Sequence, residues 1–349
     1  MLHVVIMAGG KGTRFWPLSK KIKAKQFLNI LGNKSLLKTT IERLHPLIDK
    51  KNIWIVTNQN QKKFLLKEKL GIPTSQILYE PIGKNTAPCI GWAAFEIIKK
   101  DPKATMIVLP SDHLIKKEAK FRETLKTAVN FVKKNNCLMT IGIKPTFPHT
   151  GYGYIEIFKN INKQKIEKIN TFKEKPDFIT AQKYVKSEKF LWNSGMFIWQ
   201  ASKILELIEK YMPTNYQILA QIAKTKKSEV KKLTDLYQQL DSISIDYGIM
   251  EKAIDQTYLI ESSFIWNDIG NWISLEEVWP QDHHNNAKKG KLITLNSKNN
   301  ITYSEKKLIA LIDVENLIVV ESEDAILVLP KKSHQKIKEL YENLDEKYT

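Results

Sequence analysis

Cysteine is scarce in this chain: Cys89 and Cys137 are its only two. Two thiols cannot build a disulfide framework or a zinc pattern, and such sparseness suits a reducing cytoplasm. Both read as small buried hydrophobes. Long apolar runs are missing as well. None approaches the roughly 18 residues of a membrane span, so no membrane passage is expected. The opening "MLHVVIMAGG" has no basic start leading into a long apolar core, which argues against a signal peptide. Zinc-finger, RRM and basic-zipper patterns are also absent. That matters because the formal net charge is +18. The lysines are dispersed, as in "SKKIKAKQ", "KKFLLKEK" and "KTKKSEVKK", among acids and apolar residues. We read them as compositional bias and expect no nucleic-acid partner. The charge would still steer phosphorylated substrates inward. What remains is a chain of 349 residues, 42% hydrophobic, long enough for a full core and more than one domain.

From Val4 to Ser19, "VVIMAGGKGTRFWPLS" passes from an apolar run into a loop with three glycines. It is not a P-loop, because Lys11 is followed by Gly12 instead of Ser or Thr. It is not a dinucleotide fingerprint either. Phe15 stands where the third glycine belongs, and "IWIVTN" ends in Asn58 where an acid is needed. Gly9, Gly10 and Gly12 still offer a nest of N–H groups for an anion. Arg14 adds a bidentate fork and Lys11 a point charge. The plainer alternative is a tight strand-to-helix turn carrying two solvated cations.

Apolar runs alternate with amphipathic stretches over the first half. "HVVIMA", "NIWIVT", "QILYE", "TMIVLPSD" and "CLMTIGI" read as strands, and "SLLKTTIERLHPL" and "APCIGWAAFEIIKK" as helices. This predicts an α/β fold with a mostly parallel sheet covered on both faces. Ligands bind beyond the carboxyl ends of such strands, where the glycine loop and "PSDH" both fall. From about Gly151 the pattern becomes mixed. "YGYIEIF", "FIWQ" and "YLIESSFIW" read as β, and "SKILELIEKYM" and "EVKKLTDLYQQL" as helices. After "WPQDHHNNAKKG" come "KLITL", "NITYS", "LIALIDV", "NLIVVES" and "AILVLP", spaced as a meander or a small β-solenoid. Residues 333–345 read as a closing helix. A boundary near position 284 separates residues 1–284 from 285–349. Packing or subunit association is the expected role of the C-terminal strands.

Several stretches carry chemical groups. Asp112 follows a continuous apolar strand, where a carboxylate can hold Mg²⁺ against a phosphate or cap a helix. His113 beside it reads as structural. In "FKEKP", Glu174 and Lys175 would face opposite ways along an extended strand, one towards sugar hydroxyls and one towards a phosphate. Asn193, followed by Ser194 and Gly195 inside an aromatic run, offers donors, acceptors and room. Asp268 lies on a polar break between Trp266 and Trp272 and could complete a metal site with Asp112. Both aromatic stretches also read as packing clusters with an exposed turn.

"AGGKGTRFWPLS…KAKQF", "EPIGKNTAP", "PSDH", "TGYGYIE", "FKEKP", "WNSGMF" and "WNDIGNW" together resemble the nucleotide-diphospho-sugar pyrophosphorylases, in family order. Trp16 and the run Lys25–Gln26–Phe27 point to the GDP-mannose branch. The resemblance implies a Rossmann-like, glycosyltransferase-A-like nucleotidyltransferase domain followed by a left-handed β-helix. It implies transfer between GTP and mannose 1-phosphate, in a cytoplasmic homodimer using Mg²⁺. Ala8, Gly9, Gly10, Gly12, Thr13 and Arg14 would cradle the triphosphate, and Lys25 would neutralise its charge. Glu80, Asn85 and Thr86 would lie near the guanine. Asp112 and Asp268 would hold the metal, and Gly153, Glu174, Lys175 and Asn193 the sugar phosphate. Longer relatives carry a fused isomerase domain for which this chain has no room. Lys84, Ala24 and Lys173 depart from the family pattern. A relative with another base or sugar (dTDP- or UDP-glucose type) and a non-catalytic regulator are the alternatives.

Overall fold

In the computed structural model, which describes residues 1–10, 12–158 and 166–349, the apolar runs of the first half form the strands expected of them. They are β1 (Leu2–Ala8), β2 (Ile53–Asn58), β3 (Ile77–Glu80), β4 (Thr105–Pro110), a short β5 (Leu114–Lys116) and β6 (Leu138–Ile143). Helices α1 (Leu36–Glu42), α2 (Lys62–Lys67), α3 (Thr86–Ile98) and α4 (Glu118–Asn135) lie between them. The second half adds β7 (Tyr154–Ile157), β8 (Ile166–Lys173), α5 (Phe178–Ser187), β9 (Phe190–Gln200), α6 (Ala201–Tyr211), α7 (Pro213–Lys224), α8 (Val230–Gln239), β10 (Thr257–Glu261) and β11 (Ile265–Asn267). Among the described residues one large sheet has the order β3-β2-β1-β4-β9-β6-β10-β8-β7.

The sheet is mixed. β1 runs parallel to β2 and β4, β2 to β3, and β10 to β6. β9 enters antiparallel between β4 and β6. Strands β4 and β6 are buried along nearly their whole length, which is why they read as unbroken apolar runs. Two apolar cores cover the faces, one around Trp92, Trp199 and Tyr237 and one around Phe121, Met139 and Ile198.

Three sequence expectations need correction. "SLLKTTIERLHPL" is helical only over α1, and ordinary turns follow Glu42. "YLIESSFIW" is two strands, because β10 joins the large sheet while β11 pairs antiparallel with β5. That second pairing organises the site described below. The closing helix is short: a 3₁₀ segment over Lys331–Lys336 leads into α9 (Ile337–Glu342).

The C-terminal strands are β12 (Ala287–Leu295), β13 (Ile301–Ile312), β14 (Leu317–Glu321) and β15 (Ile326–Pro330). "NITYS" and "LIALIDV" belong to the one strand β13. β12 is parallel to β13 and β13 to β14, so these coils stack as a solenoid and not as a meander. Buried Asn286 and Asn300 link the coils. The Asn286 Oδ1 accepts from the Asn300 backbone N–H at 3.0 Å, and the Asn300 Oδ1 accepts from Leu317 N–H at 2.9 Å. The solenoid shares a third core with the N-terminal loop, through Phe15, Trp16, Trp272, Trp279 and Tyr303.

Candidate active site

The glycine loop leaves β1 with its carbonyls turned inward. The Ala8 carbonyl accepts from the Gln26 side chain at 2.5 Å and from the Thr57 hydroxyl at 2.9 Å. The Gly10 carbonyl accepts from Gln61 at 3.3 Å, and the Gly12 carbonyl from Ser19 at 2.5 Å. With these acceptors occupied, the loop can spend its N–H groups on an anion. Gly12 has φ 65, and an added Cβ would stand 2.4 Å from the Lys25 Cβ. Glycine is required there because the loop lies directly on Lys25. The buried Gln61 and Thr57 side chains were not singled out from the sequence, and Gln26 was noted only within the family run Lys25–Gln26–Phe27, since nothing local marks them as loop supports. Lys11 lies outside the described residues.

Lys25 is buried and bridges two segments distant in sequence. Its ammonium sits 2.7 Å from Asp112 Oδ2 and donates to the Asp268 carbonyl at 2.8 Å. The β5–β11 register, with Asn267 opposite Leu114, brings Asp268 beside His113 and Asp112. The Tyr152 hydroxyl donates to Asp268 Oδ1 at 2.7 Å. Burial alone would raise the Asp112 pKa, but the charge of Lys25 and its hydrogen bond hold it below the usual carboxylate value. Burial drops the His113 pKa to about 4, so the ring is neutral. Its Nδ1 accepts from Trp266 Nε1 at 3.0 Å, which puts the proton on Nε2. That contact fits the structural role expected for His113.

A cavity of ≈ 440 Å³ opens along the ends of β1, β3, β4 and β9. Gly9, Gly10, Glu80, Asn85, Thr86, Asp112, Gly153, Glu174, Asn193 and Asp268 all line it. A second cavity shares Asp112 and Asp268 and adds Gly12, Thr13, Arg14 and Lys25. Arg14 is exposed there, and among the described residues no hydrogen bond or ion pair holds it. Ala8 is wholly buried and lines neither space.

Glu80 is the outlier of the first cavity. It is 4% exposed, its Oε1 has no hydrogen-bond partner, and burial pushes its pKa up to about 8. An added Cβ on Gly9 would come 3.1 Å from its Oε2, so the glycine loop presses on this carboxyl. Asn85 caps α3, its Oδ1 accepting from Thr86 N–H at 2.9 Å. The Thr86 hydroxyl accepts from Ile245 N–H at 2.8 Å. Lys84 turns away and donates to the Leu240 and Gln238 carbonyls at the end of α8.

At the opposite end, Glu174 fills the space that a side chain on Gly153 would need, with Oε2 2.3 Å from an added Cβ. The expected extended Glu174–Lys175 pair is not there. β8 stops at Lys173, Lys175 has φ 49, and its ammonium pairs with Glu174 Oε1. Lys175 lines neither cavity. The Asn193 Nδ2 donates to Asp246 Oδ1 at 2.8 Å. Asp246 was missed from the sequence, because "SISIDYGIM" shows only one acid in a short apolar stretch.

Lys25 holds one carboxylate oxygen, Asp112 Oδ2, and the Asp268 main-chain carbonyl, while Asp268 Oδ1 accepts from the Tyr152 hydroxyl. Among the described residues no group of three or more His, Cys, Asp or Glu converges to hold an ion by itself. Magnesium usually takes one or two carboxylates and completes its shell with substrate phosphates and water, so Asp112 and Asp268 suit it.

Residues 3–285 match the nucleotidyl transferase family, and residues 290–344 match the MannoseP isomerase/GMP-like beta-helix domain. The xanthan biosynthesis protein XanB of Xanthomonas campestris pv. campestris is 39% identical over 96% of this chain and 72% of its own. Mannose-1-phosphate guanylyltransferase of Salmonella muenchen is 37% identical over 97% of this chain and 72% of its own. The crystal structure of mannose-1-phosphate geranyltransferase from Thermus thermophilus superposes with a TM-score of 0.88. It is 30% identical and covers 98% of both chains.

Proposed function

The chain belongs to the nucleotidyl transferase family, and on that premise we propose that it joins GTP to mannose 1-phosphate, giving GDP-mannose and pyrophosphate. Relatives that carry the name mannose-1-phosphate guanylyltransferase support this reading. The observation that carries the base is Glu80, a buried carboxyl that lines the cavity and whose Oε1 has no partner. Guanine offers what that oxygen lacks, an N1–H and an amino group. Asn85 and Thr86 edge the same end. The glycine loop from Ala8 to Arg14 holds the triphosphate, with Ala8 acting from beneath it.

The sugar phosphate oxygen is already an anion, so its attack on the α-phosphorus needs no strong base. The pyrophosphate leaves from the opposite side. The barrier is repulsion between anions and loose orientation. Arg14 and Lys25 reduce the repulsion, Gly153, Glu174 and Asn193 hold the sugar phosphate, and Lys175 acts on it through its pair with Glu174. Two unit charges 4 Å apart interact by about 4 kcal/mol at an effective dielectric near 20, so a few such contacts have the required size. Mg²⁺ held by Asp112 and Asp268 would supply further neutralisation of phosphate charge.

Residues 1–284 would form the catalytic part and 285–349 the β-helix. No helix among the described residues is long and apolar enough to cross a membrane, and we place the reaction in the cytoplasm. A homodimer is part of the proposal. Ile293, Leu295, Leu308 and Ile312 on the paired ends of β12 and β13, and Ile326 and Val328 on β15, are each more than half exposed on the solenoid, apolar surface suited to a second copy. The deciding experiment is pyrophosphate release from GTP, ATP, UTP and dTTP, each with mannose and glucose 1-phosphates. GTP with mannose 1-phosphate is expected to lead. A lead for dTTP or UTP would overturn the choice of base.

A further inference from the structure

Asn193 has little left to offer a ligand. Its Oδ1 accepts from the Thr140 hydroxyl at 3.2 Å and from Gly195 N–H at 3.1 Å. Its Nδ2 donates to Asp246 Oδ1 at 2.8 Å. One N–H therefore remains, and little acceptor capacity, the single Thr140 proton being shared with the Met196 carbonyl at 3.3 Å. Each hexose hydroxyl, however, carries a proton that needs an acceptor, as well as lone pairs of its own. The acceptors on this side of the cavity must come from elsewhere.

Two carboxyls are placed to supply them. Glu174 has a side chain 9% exposed, and its Oε2 has no partner. Asp246 opens a π-helical turn, Asp246–Met250, and lines the same cavity as Glu174, Asn193 and Gly153. Burial, then the neighbouring Glu174, raise the Asp246 pKa to about 6. Gly195, with φ 68, lines the same cavity, and a Cβ there would meet nothing closer than Pro110 Cγ at 3.7 Å. Bracing Asn193 occupies only one of the two Asp246 oxygens.

We propose that Asp246 is a sugar-binding residue: with Glu174 it accepts hydrogen bonds from neighbouring hydroxyls of the sugar ring, while its other oxygen orients Asn193. The inference rests on the sugar-phosphate reading of this end of the cavity. It adds a determinant of sugar choice that lies 53 residues beyond Asn193 in the chain.

The test is Asp246→Asn, which keeps an acceptor for Asn193 and removes the charge. The wild type is first run on the nucleotide and sugar panel, and that result alone decides the reaction. Mono-deoxy analogues of the sugar phosphate selected there are then compared. Asp246→Asn is expected to raise KM for the sugar phosphate by about 10-fold or more, with KM for the nucleotide unchanged. One deoxy analogue should be a poor substrate for the wild type, yet no worse than the parent sugar for the variant. Removing a buried charge should leave the melting temperature no lower. If it falls, Asp246→Ser, with its smaller acceptor, takes the same measurements. The proposal is overturned if both KM values move together, or if every analogue keeps its wild-type penalty in the variants.

Discussion

The two acids at the strand ends of this cleft stand in opposite states. Asp112, beyond β4, is paired at 2.7 Å with the Lys25 ammonium and held below the usual carboxylate pKa. Glu80, at the end of β3, has an orphaned oxygen and a pKa pushed up to about 8. Burial drives both pKa values upward, although Glu80 is 4% exposed and the Asp112 side chain 28%. The difference lies in the partner. Beside the glycine loop the chain supplies its own counter-charge, which under the proposed function would share Asp112 with a metal and a polyanion. At Glu80 it supplies none, so under the proposed function the base would bring the donors. One end would then be organised before substrate arrives, and the other completed by it.

Breaking the phosphate end should cost most. Asp112→Asn and Asp268→Asn are each expected to lower turnover by roughly two to three orders of magnitude, as loss of a preorganised electrostatic group does. Both should fold, because asparagine keeps an oxygen for Lys25 and for Tyr152. Near-wild-type rates across a Mg²⁺ titration would remove both residues from the metal. At the base end, Glu80→Gln keeps the shape and removes the charge. KM for GTP should rise by about 10-fold or more, with the preference over ATP narrowed. In the wild type, GTP at about 100 times its dissociation constant should raise the melting temperature by a few degrees, more than ATP, UTP or dTTP does. Equal shifts for all four would leave Glu80 without a role in base choice.

Arg14→Lys is a smaller break. A lysine keeps the charge but not the planar fork, so kcat should fall by about tenfold while KM for mannose 1-phosphate stays put. A variant with normal turnover would reduce Arg14 to a solvated cation on a turn.

The comparison also explains what could be read from the sequence. The strands around the cleft were legible because double-sided burial writes itself as apolar runs, in "TMIVLP" above all. Asp112 stood out because it follows such a run directly. The pairing of Lys25 with Asp112 and Asp268 was not legible, since it depends on β11 leaving the large sheet to join β5. The same holds for Asn193 and Asp246, which meet across 53 residues. Glu80 was placed near the base by family resemblance alone, and its isolation is visible only once α3 and the glycine loop have closed around it. The helix α7 went unread, although Pro213 at its start is a common opening.

The smallest expected effect is one of pH, and it separates the two acids by sign. Glu80 has its folded pKa raised to about 8 from an ordinary value of 4.5. Below 4.5 it is protonated in both states and costs nothing. As pH climbs to 8 the unfolded chain gives up the proton first, so stability falls through this window and levels above it. Asp112 behaves the other way. Its pair with Lys25 stabilises the fold above the ordinary carboxylate range, and the contribution is lost on acidification through the lowered folded value. Glu80→Gln should therefore gain melting temperature over wild type progressively from pH 5 to 8, whereas Asp112→Asn should show its deficit throughout that range. Guanine donors favour the carboxylate, so GTP binding at pH 7 should release a proton from Glu80. GTP affinity should accordingly strengthen from pH 6.5 to 8.5, by at most about tenfold per pH unit, and Glu80→Gln should flatten that slope. Calorimetry in two buffers of different ionisation enthalpy measures the proton directly. Binding of GTP without proton release, at a pH where Glu80 is protonated in the free protein, would mean that the base end is completed by some group other than this carboxyl.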